Sequence, residues 1–308
     1  MNSFMNLPKL SSLGTDLDTS PDKFGPLRSS QDVVEDDVAL RSRMDEDGYL
    51  YLPGYLNLND VLETRREMTS RLASGGHLAP GSNPMDAFAC NDSNLAFVPD
   101  LALHNTAMDR LLYSGKMMDL YSRLLDGVVR HYDFTWVRAV SPNKSTAPHC
   151  DIVYMGRGTD RLYTAWTPIG DIDLKMGGLI ILENSHKYDP IKKVYGTKDV
   201  DSWCSNKLTE PPNGLGNGGN IGRGGWLSKN PYLLRERIGG RWLTADFQAG
   251  DLLTFGMYTV HASLDNRTDR IRLSTDSRYQ LASDPIDERW IGENPIGHGP
   301  GAKRAIIC

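Results

Sequence analysis

The stretch Val128-Val-Arg-His-Tyr-Asp-Phe-Thr-Trp-Val-Arg-Ala-Val140 decides the fold class. β-Branched and aromatic residues dominate it, which is a strand pattern. Short runs of the same texture return at 151–155, 163–169, 179–182, 242–247, 252–260 and 271–281, with Gly, Asn, Asp and Pro between them. Before residue 128 the periodicity is helical. An acidic helix is predicted over 31–46, a strand over 48–53, a helix from about Asp60, and another over 106–125, closed by Asp126-Gly127. Helices followed by many short strands predict an α+β fold with an all-β barrel or jelly roll as its body. Residues 1–30, rich in Ser, Pro and Asp, read as a flexible leader, and 31–308 as a single domain.

The chain has 308 residues and a net charge of −5. This lacks the basic excess that phosphate-backbone binding needs, so nucleic acid is not an expected partner. No apolar run approaches the ~18–20 residues needed to span a bilayer. No secretory signal is visible either, and the 4 cysteines contain no C-x-x-C pair. The expectation is a cytoplasmic protein that works on a small molecule, with homo-oligomerisation left open.

Between 196 and 240 the strand signals fade, and 212–226 holds 7 glycines in 15 residues. Gly214-Leu-Gly-Asn-Gly-Gly219 matches the dinucleotide pattern G-x-G-x-x-G, but it follows Pro211-Pro212 rather than a strand and opens no helix. The insertion is read instead as a lid over an active site, the alternative being a surface excursion or a subunit contact.

Two imidazoles and one carboxylate are the ligand set of a mononuclear iron oxygenase, because they leave adjacent metal positions open. On a strand, H-x-D places two of them on one face. With 7 His and 39 Asp+Glu, about one H-x-[DE] match is expected by chance. Two occur. His131-Tyr-Asp133 lies inside a continuous strand pattern, whereas His149-Cys-Asp151 follows a loop and is the more accessible choice. His261, at the end of the run 250–260, is the candidate third ligand. Beyond it Arg270, Arg272, Ser274, Asp276 and Arg278 alternate along one strand. Buried arginines are costly unless they meet anions, and a guanidinium matches a carboxylate in a two-bond fork.

With these residues in view the sequence resembles the phytanoyl-CoA dioxygenase family of Fe(II)- and 2-oxoglutarate-dependent oxygenases. The similarity covers 44–280. It begins at Asp45-Glu-Asp-Gly-Tyr-Leu-Tyr-Leu-Pro-Gly54 and continues through His149-x-Asp151 and Trp166. Gly177-Gly-Leu-Ile-Ile-Leu-Glu-Asn-Ser-His186, His261-Ala-Ser263 and Arg272-Leu-Ser complete it. The resemblance implies a double-stranded β-helix (a jelly-roll, cupin-like core) with flanking helices. It implies iron held by His149, Asp151 and His261, and 2-oxoglutarate held by Arg272, Ser263 and Trp166. Fe(II), 2-oxoglutarate and O2 would then be cofactors, with ascorbate in support. The implied reaction is oxidation, by default hydroxylation, of a C–H bond of a small, largely apolar metabolite such as a natural product, releasing succinate and CO2. Competing readings are an acyl-CoA 2-hydroxylase, for which Lys187, Lys192 and Lys193 are the candidate phosphate contacts, and a non-catalytic jelly-roll binding protein.

Overall fold

A computed structural model describes residues 7–201, 225–298 and 302. The lid expectation rests mainly on residues 202–224, which lie outside the described residues.

The elements in chain order begin with β1 (Ser11–Ser12), β2 (Thr15–Asp16), β3 (Phe24–Pro26), α1 (Asp37–Asp47), β4 (Tyr49–Leu52) and α2 (Leu58–Ser74). Next come α3 (Thr106–Tyr113), α4 (Gly115–Leu125), β5 (Val129–His131), β6 (Trp136–Val140), α5 (Ile152–Met155) and β7 (Tyr163–Pro168). The chain continues through β8 (Leu179–Leu182), α6 (Pro231–Ile238), β9 (Trp242–Thr244), β10 (Leu252–Gly256), β11 (His261–Ser263) and β12 (Arg272–Leu281).

Side-chain caps set several boundaries. Asp36 accepts the N–H groups of Val38 and Ala39 at the start of α1, and Asn57 accepts those of Asn59 and Asp60, so α2 starts before Asp60. Gly48 ends α1 at φ 75°, where a Cβ would also lie 2.3 Å from the His186 ring, so this position demands glycine. The expected helix over 106–125 is two helices, broken where Ser114 turns extended before Gly115 at φ 51°. The strand pattern of 128–140 likewise divides into β5 and β6. Residues 152–155 form a helical turn, α5, rather than a strand. There the N–H groups of Tyr154 and Met155 return to the Asp151 carbonyl, and tertiary context overrides β-branched propensity.

The larger sheet runs β4-β10-β7-β12-β5, with β6 also paired to β12. The smaller runs β11-β8-β9-β3, antiparallel except for the parallel pair β3–β9. Tyr49, Trp166, Leu253 and Phe255 of the first sheet and Leu179, Ile181 and Leu243 of the second share one buried cluster. That shared core makes the pair of sheets a jelly roll. Helices α1 to α4 cover the outer face of the larger sheet, joining Leu273 and Tyr279 of β12 in a second cluster. Tyr279 stacks on Tyr121 with ring centroids 4.0 Å apart. Among the described residues no helix is long and apolar enough to cross a membrane.

Residues 7–30 correct the leader expectation. Leu10, Leu17, Phe24 and Leu27 are buried, and β3 forms the edge of the smaller sheet. Ser11 donates to the Asp265 carboxylate at 2.6 Å, and Ser12 donates to the Ser263 carbonyl at 2.7 Å. A Ser- and Asp-rich composition reads as disorder when those groups are assumed to face water; here they are internal hydrogen-bond partners. Because Phe24 fills a buried site beside Trp242, Phe24→Ala should cost about 3–5 kcal/mol, read as a lower denaturant midpoint.

Candidate metal centre

β11 delivers His261, and the loop before α5 delivers His149 and Asp151. The two histidine backbones exchange N–H···O=C bonds of 3.0 Å in each direction, which aligns the loop with the strand end. His149 Nδ1 donates to the Ala147 carbonyl at 2.8 Å, and His261 Nδ1 donates to the Thr259 carbonyl at 3.1 Å. These bonds fix each ring's tautomer and leave both Nε2 atoms as acceptors. Each Nε2 lies 3.8 Å from Asp151 Oδ1. That separation is too long for a hydrogen bond but short enough for both atoms to reach one ion through bonds of about 2.0–2.2 Å. Among the described residues this is the one group of three with metal-ligating geometry, its ligand atoms lying within 4.8 Å of one another.

All three side chains are buried, and their charge states follow from that. Burial holds the His149 imidazole well below its ordinary pKa, and the adjacent His261 adds to the effect. Burial lowers His261 in the same way, with Asp151 opposing. For Asp151, burial raises the carboxyl pKa, but Arg278 and the two imidazoles outweigh it, so the group stays below the usual carboxylate range. Neutral imidazoles beside an ionised carboxylate are the protonation states that a metal requires. Asp151 Oδ2 accepts from Thr164 Oγ1 and lies 3.1 Å from Arg278 Nη2.

Arg272, on the inner face of β12, lines a narrow cleft with Trp166, Ser263, Arg138, His149 and His261. Its Nη1 donates to the Gly177 carbonyl, while its buried Nε has no hydrogen-bond partner among the described residues. Burial lowers the Arg272 pKa to about 10, and Arg138 contributes to the shift. Ser263 Oγ accepts the Thr146 N–H at 2.8 Å, which leaves the hydroxyl proton to donate elsewhere. Trp166 packs edge-on against Phe247 at 4.6 Å. On the other side of His149 opens a cavity of about 400 Å³, walled by Phe97, Trp136, Tyr154, Met155 and Trp226. Arg138, Arg278 and His298 also line it, so aromatic and charged side chains share the wall.

The structure brings His149, Asp151, His261, Arg272, Ser263 and Trp166 to one end of the jelly roll. His131 stays outside, stacked on Tyr113 at 4.1 Å with its Nδ1 on the Tyr132 carbonyl. Cys150 is buried with Sγ 3.4 Å from the Tyr258 carbonyl. The three alternating arginines do not act together: Arg270 precedes β12 and lies over the Phe88 ring at 4.6 Å. Sequence reasoning missed Thr164 and Arg138. Thr164 stands two residues before Trp166 on one strand, so the period of two was the available signal.

This arrangement defines a jelly-roll oxygenase of the mononuclear non-heme iron class, dependent on 2-oxoglutarate. Residues 44–274 match phytanoyl-CoA dioxygenase, and the chain belongs to that family. The 1-deoxypentalenic acid 11-beta-hydroxylase of Streptomyces arenae is 26% identical over 273 residues, which are 85% of this chain and 87% of that protein. The epimerase SnoN, solved with Fe3+, alpha ketoglutarate and nogalamycin RO, has a TM-score of 0.55 at 20% identity, covering 85% of this chain and 94% of its own. EctD from S. alaskensis, solved with 2-oxoglutarate and 5-hydroxyectoine, has a TM-score of 0.56 at 15% identity, covering 94% of this chain and 89% of its own. The two structures share the fold.

A pH consequence follows. A histidine whose folded pKa lies below its unfolded value of about 6.5 binds more protons when unfolded, so stability falls as pH drops through that value. Metal-free protein should lose stability progressively as pH falls from about 7 towards the folded His149 value of about 3, and His149→Ala should flatten that dependence in denaturant titrations.

Proposed function

We propose that His149, Asp151 and His261 hold Fe(II), that Arg272, Ser263 and Trp166 hold 2-oxoglutarate, and that the enzyme hydroxylates a C–H bond of a small, largely apolar natural product. The observation that carries this reading is the pair of tautomer-fixed Nε2 atoms, each 3.8 Å from one oxygen of a buried carboxylate. Bound together with 2-oxoglutarate and O2, the metal supplies the oxidising power, with succinate and CO2 as co-products and ascorbate in support. The protein's contribution is placement. The backbone carbonyls of Ala147 and Thr259 orient the imidazoles, and Thr164 and Arg278 orient the carboxylate. Among the described residues the buried Arg272 Nε has no partner, which suits a carboxylate arriving at that end of the cleft. The aromatic side chains of Phe97, Trp136, Tyr154 and Trp226 in the adjoining cavity suit an apolar substrate.

The relatives from Streptomyces are named as hydroxylases of 1-deoxypentalenic acid, which supports a small apolar substrate for the cavity beside the metal centre. The acyl-CoA reading has less support. Lys187 donates to the Glu46 carbonyl, Lys193 pairs with Asp189, and Lys192 lies over the Tyr258 ring. None of the three lines the cavity beside the metal centre.

The test is anaerobic titration of the full chain with Fe(II) and 2-oxoglutarate, followed by assay of succinate release against candidate metabolites, 1-deoxypentalenic acid included. His149→Ala and His261→Ala should lose both iron and turnover, whereas His131→Ala should keep both; loss of iron in the last variant would refute the ligand assignment. Arg272→Lys replaces a planar fork with a point charge. It should weaken 2-oxoglutarate at least about tenfold, or about 1.4 kcal/mol, while iron still binds. Unchanged cosubstrate affinity would pass the role to Arg138.

A further inference from the structure

The two oxygens of Asp151 have different surroundings. Oδ1 faces the two Nε2 atoms at 3.8 Å, with no hydrogen bond to either. Oδ2 accepts the Thr164 hydroxyl and forms an ion pair with Arg278, whose Nη2 lies 3.1 Å away. The hydroxyl takes one of the roughly two lone-pair sites of that oxygen, and the guanidinium holds its charge in place. Asp151 is only 2% exposed, so water has no ready access to exchange with either donor.

Arg278 is itself fixed. Its guanidinium lies over the Trp136 ring at 4.6 Å, its Nε reaches Met155 Sδ at 3.2 Å, and its Nη1 donates to the Ser277 carbonyl at 3.4 Å. Thr164 is on β7, paired residue for residue with Arg278 on β12. The two donors therefore come from adjacent strands in a set register and approach Oδ2 together.

We infer that Arg278 and Thr164 are positioning residues that commit Asp151 to binding the metal through Oδ1 alone. The inference rests on the metal reading above. A carboxylate that turns to bind through both oxygens takes a position that the cosubstrate or O2 needs. Three protein ligands leave three positions on a six-coordinate ion, of which a chelating 2-oxo acid uses two. Engaging Oδ2 in this way keeps all three available. The plainer account, in which Arg278 only neutralises a buried charge, makes a different forecast: without its counter-ion the carboxylate no longer holds iron, or the protein unfolds.

The experiment uses full-length protein under anaerobic conditions, with Fe(II) and 2-oxoglutarate as probes. Iron stoichiometry, 2-oxoglutarate affinity and the visible charge-transfer band of the chelated 2-oxo acid are measured. Arg278→Met and the isosteric Thr164→Val should retain stoichiometric iron, while 2-oxoglutarate weakens about 10–100-fold and its band diminishes. Thr164→Ser, which keeps the hydroxyl, should restore both. If Arg278→Met does not fold, Thr164→Val and Thr164→Ser decide the matter alone. An unchanged band and affinity in Thr164→Val overturns the inference, as does loss of iron together with the band. Failure of the unaltered chain to bind iron would instead refute the metal reading itself.

Discussion

Asp151 imposes the governing constraint on the rest of the structure. An ionised carboxylate buried to 2% exposure is expensive unless charge and hydrogen bonds compensate it. The compensation falls on Oδ2, which accepts a hydroxyl from β7 and pairs with a guanidinium from β12, while the two neutral imidazoles face Oδ1. The helical turn α5 starts at Asp151 and fixes its backbone. Those partners arise from chain segments far apart in sequence, so the site exists only when both sheets have closed. Fold and function are here the same requirement.

The aromatic and aliphatic residues answer to this constraint as well. The core shared by the two sheets fixes their separation, and the helices on the outer face press on the side of β12 opposite its arginines. Leu273 and Tyr279 face helices; Arg272 and Arg278 face the site. One strand thus separates a dry core from a polar centre, using only the period of two in its side chains.

Much of this was legible in the sequence because the signals were local or periodic. The runs at 163–169, 179–182 and 271–281 became strands, and His149, Asp151 and His261 converged, since a strand end or loop beside a β-rich body is where a metal is reachable. What escaped detection was set by tertiary context. Ile152-Val153-Tyr154 has the composition of a strand and forms a helical turn because Met155 closes onto Asp151. Ser11 and Ser12 look solvated until Asp265 and the Ser263 carbonyl are known to be their partners. Arg270, Arg272 and Arg278 alternate in the sequence, and alternation alone does not separate their roles. Alternation gives the face a residue occupies, not its depth along the barrel, and depth puts Arg278 on Asp151 and Arg272 in the cleft.

β12 therefore governs how the enzyme can vary. Arg272 and Arg278 stand at an even offset on one strand that is hydrogen-bonded to β6 and β7, and so share a face. Inserting or deleting one residue between them would turn one of the two towards the helices, and no repacking of nearby side chains could compensate. Phe97, Tyr154, Met155 and Trp226 lie outside the strands and carry no such parity restriction, whereas Trp136 of β6 is in register with Asp276 of β12. New substrate ranges in this scaffold are accordingly accessible by substitution along the aromatic wall, while length changes in β12 are closed to it.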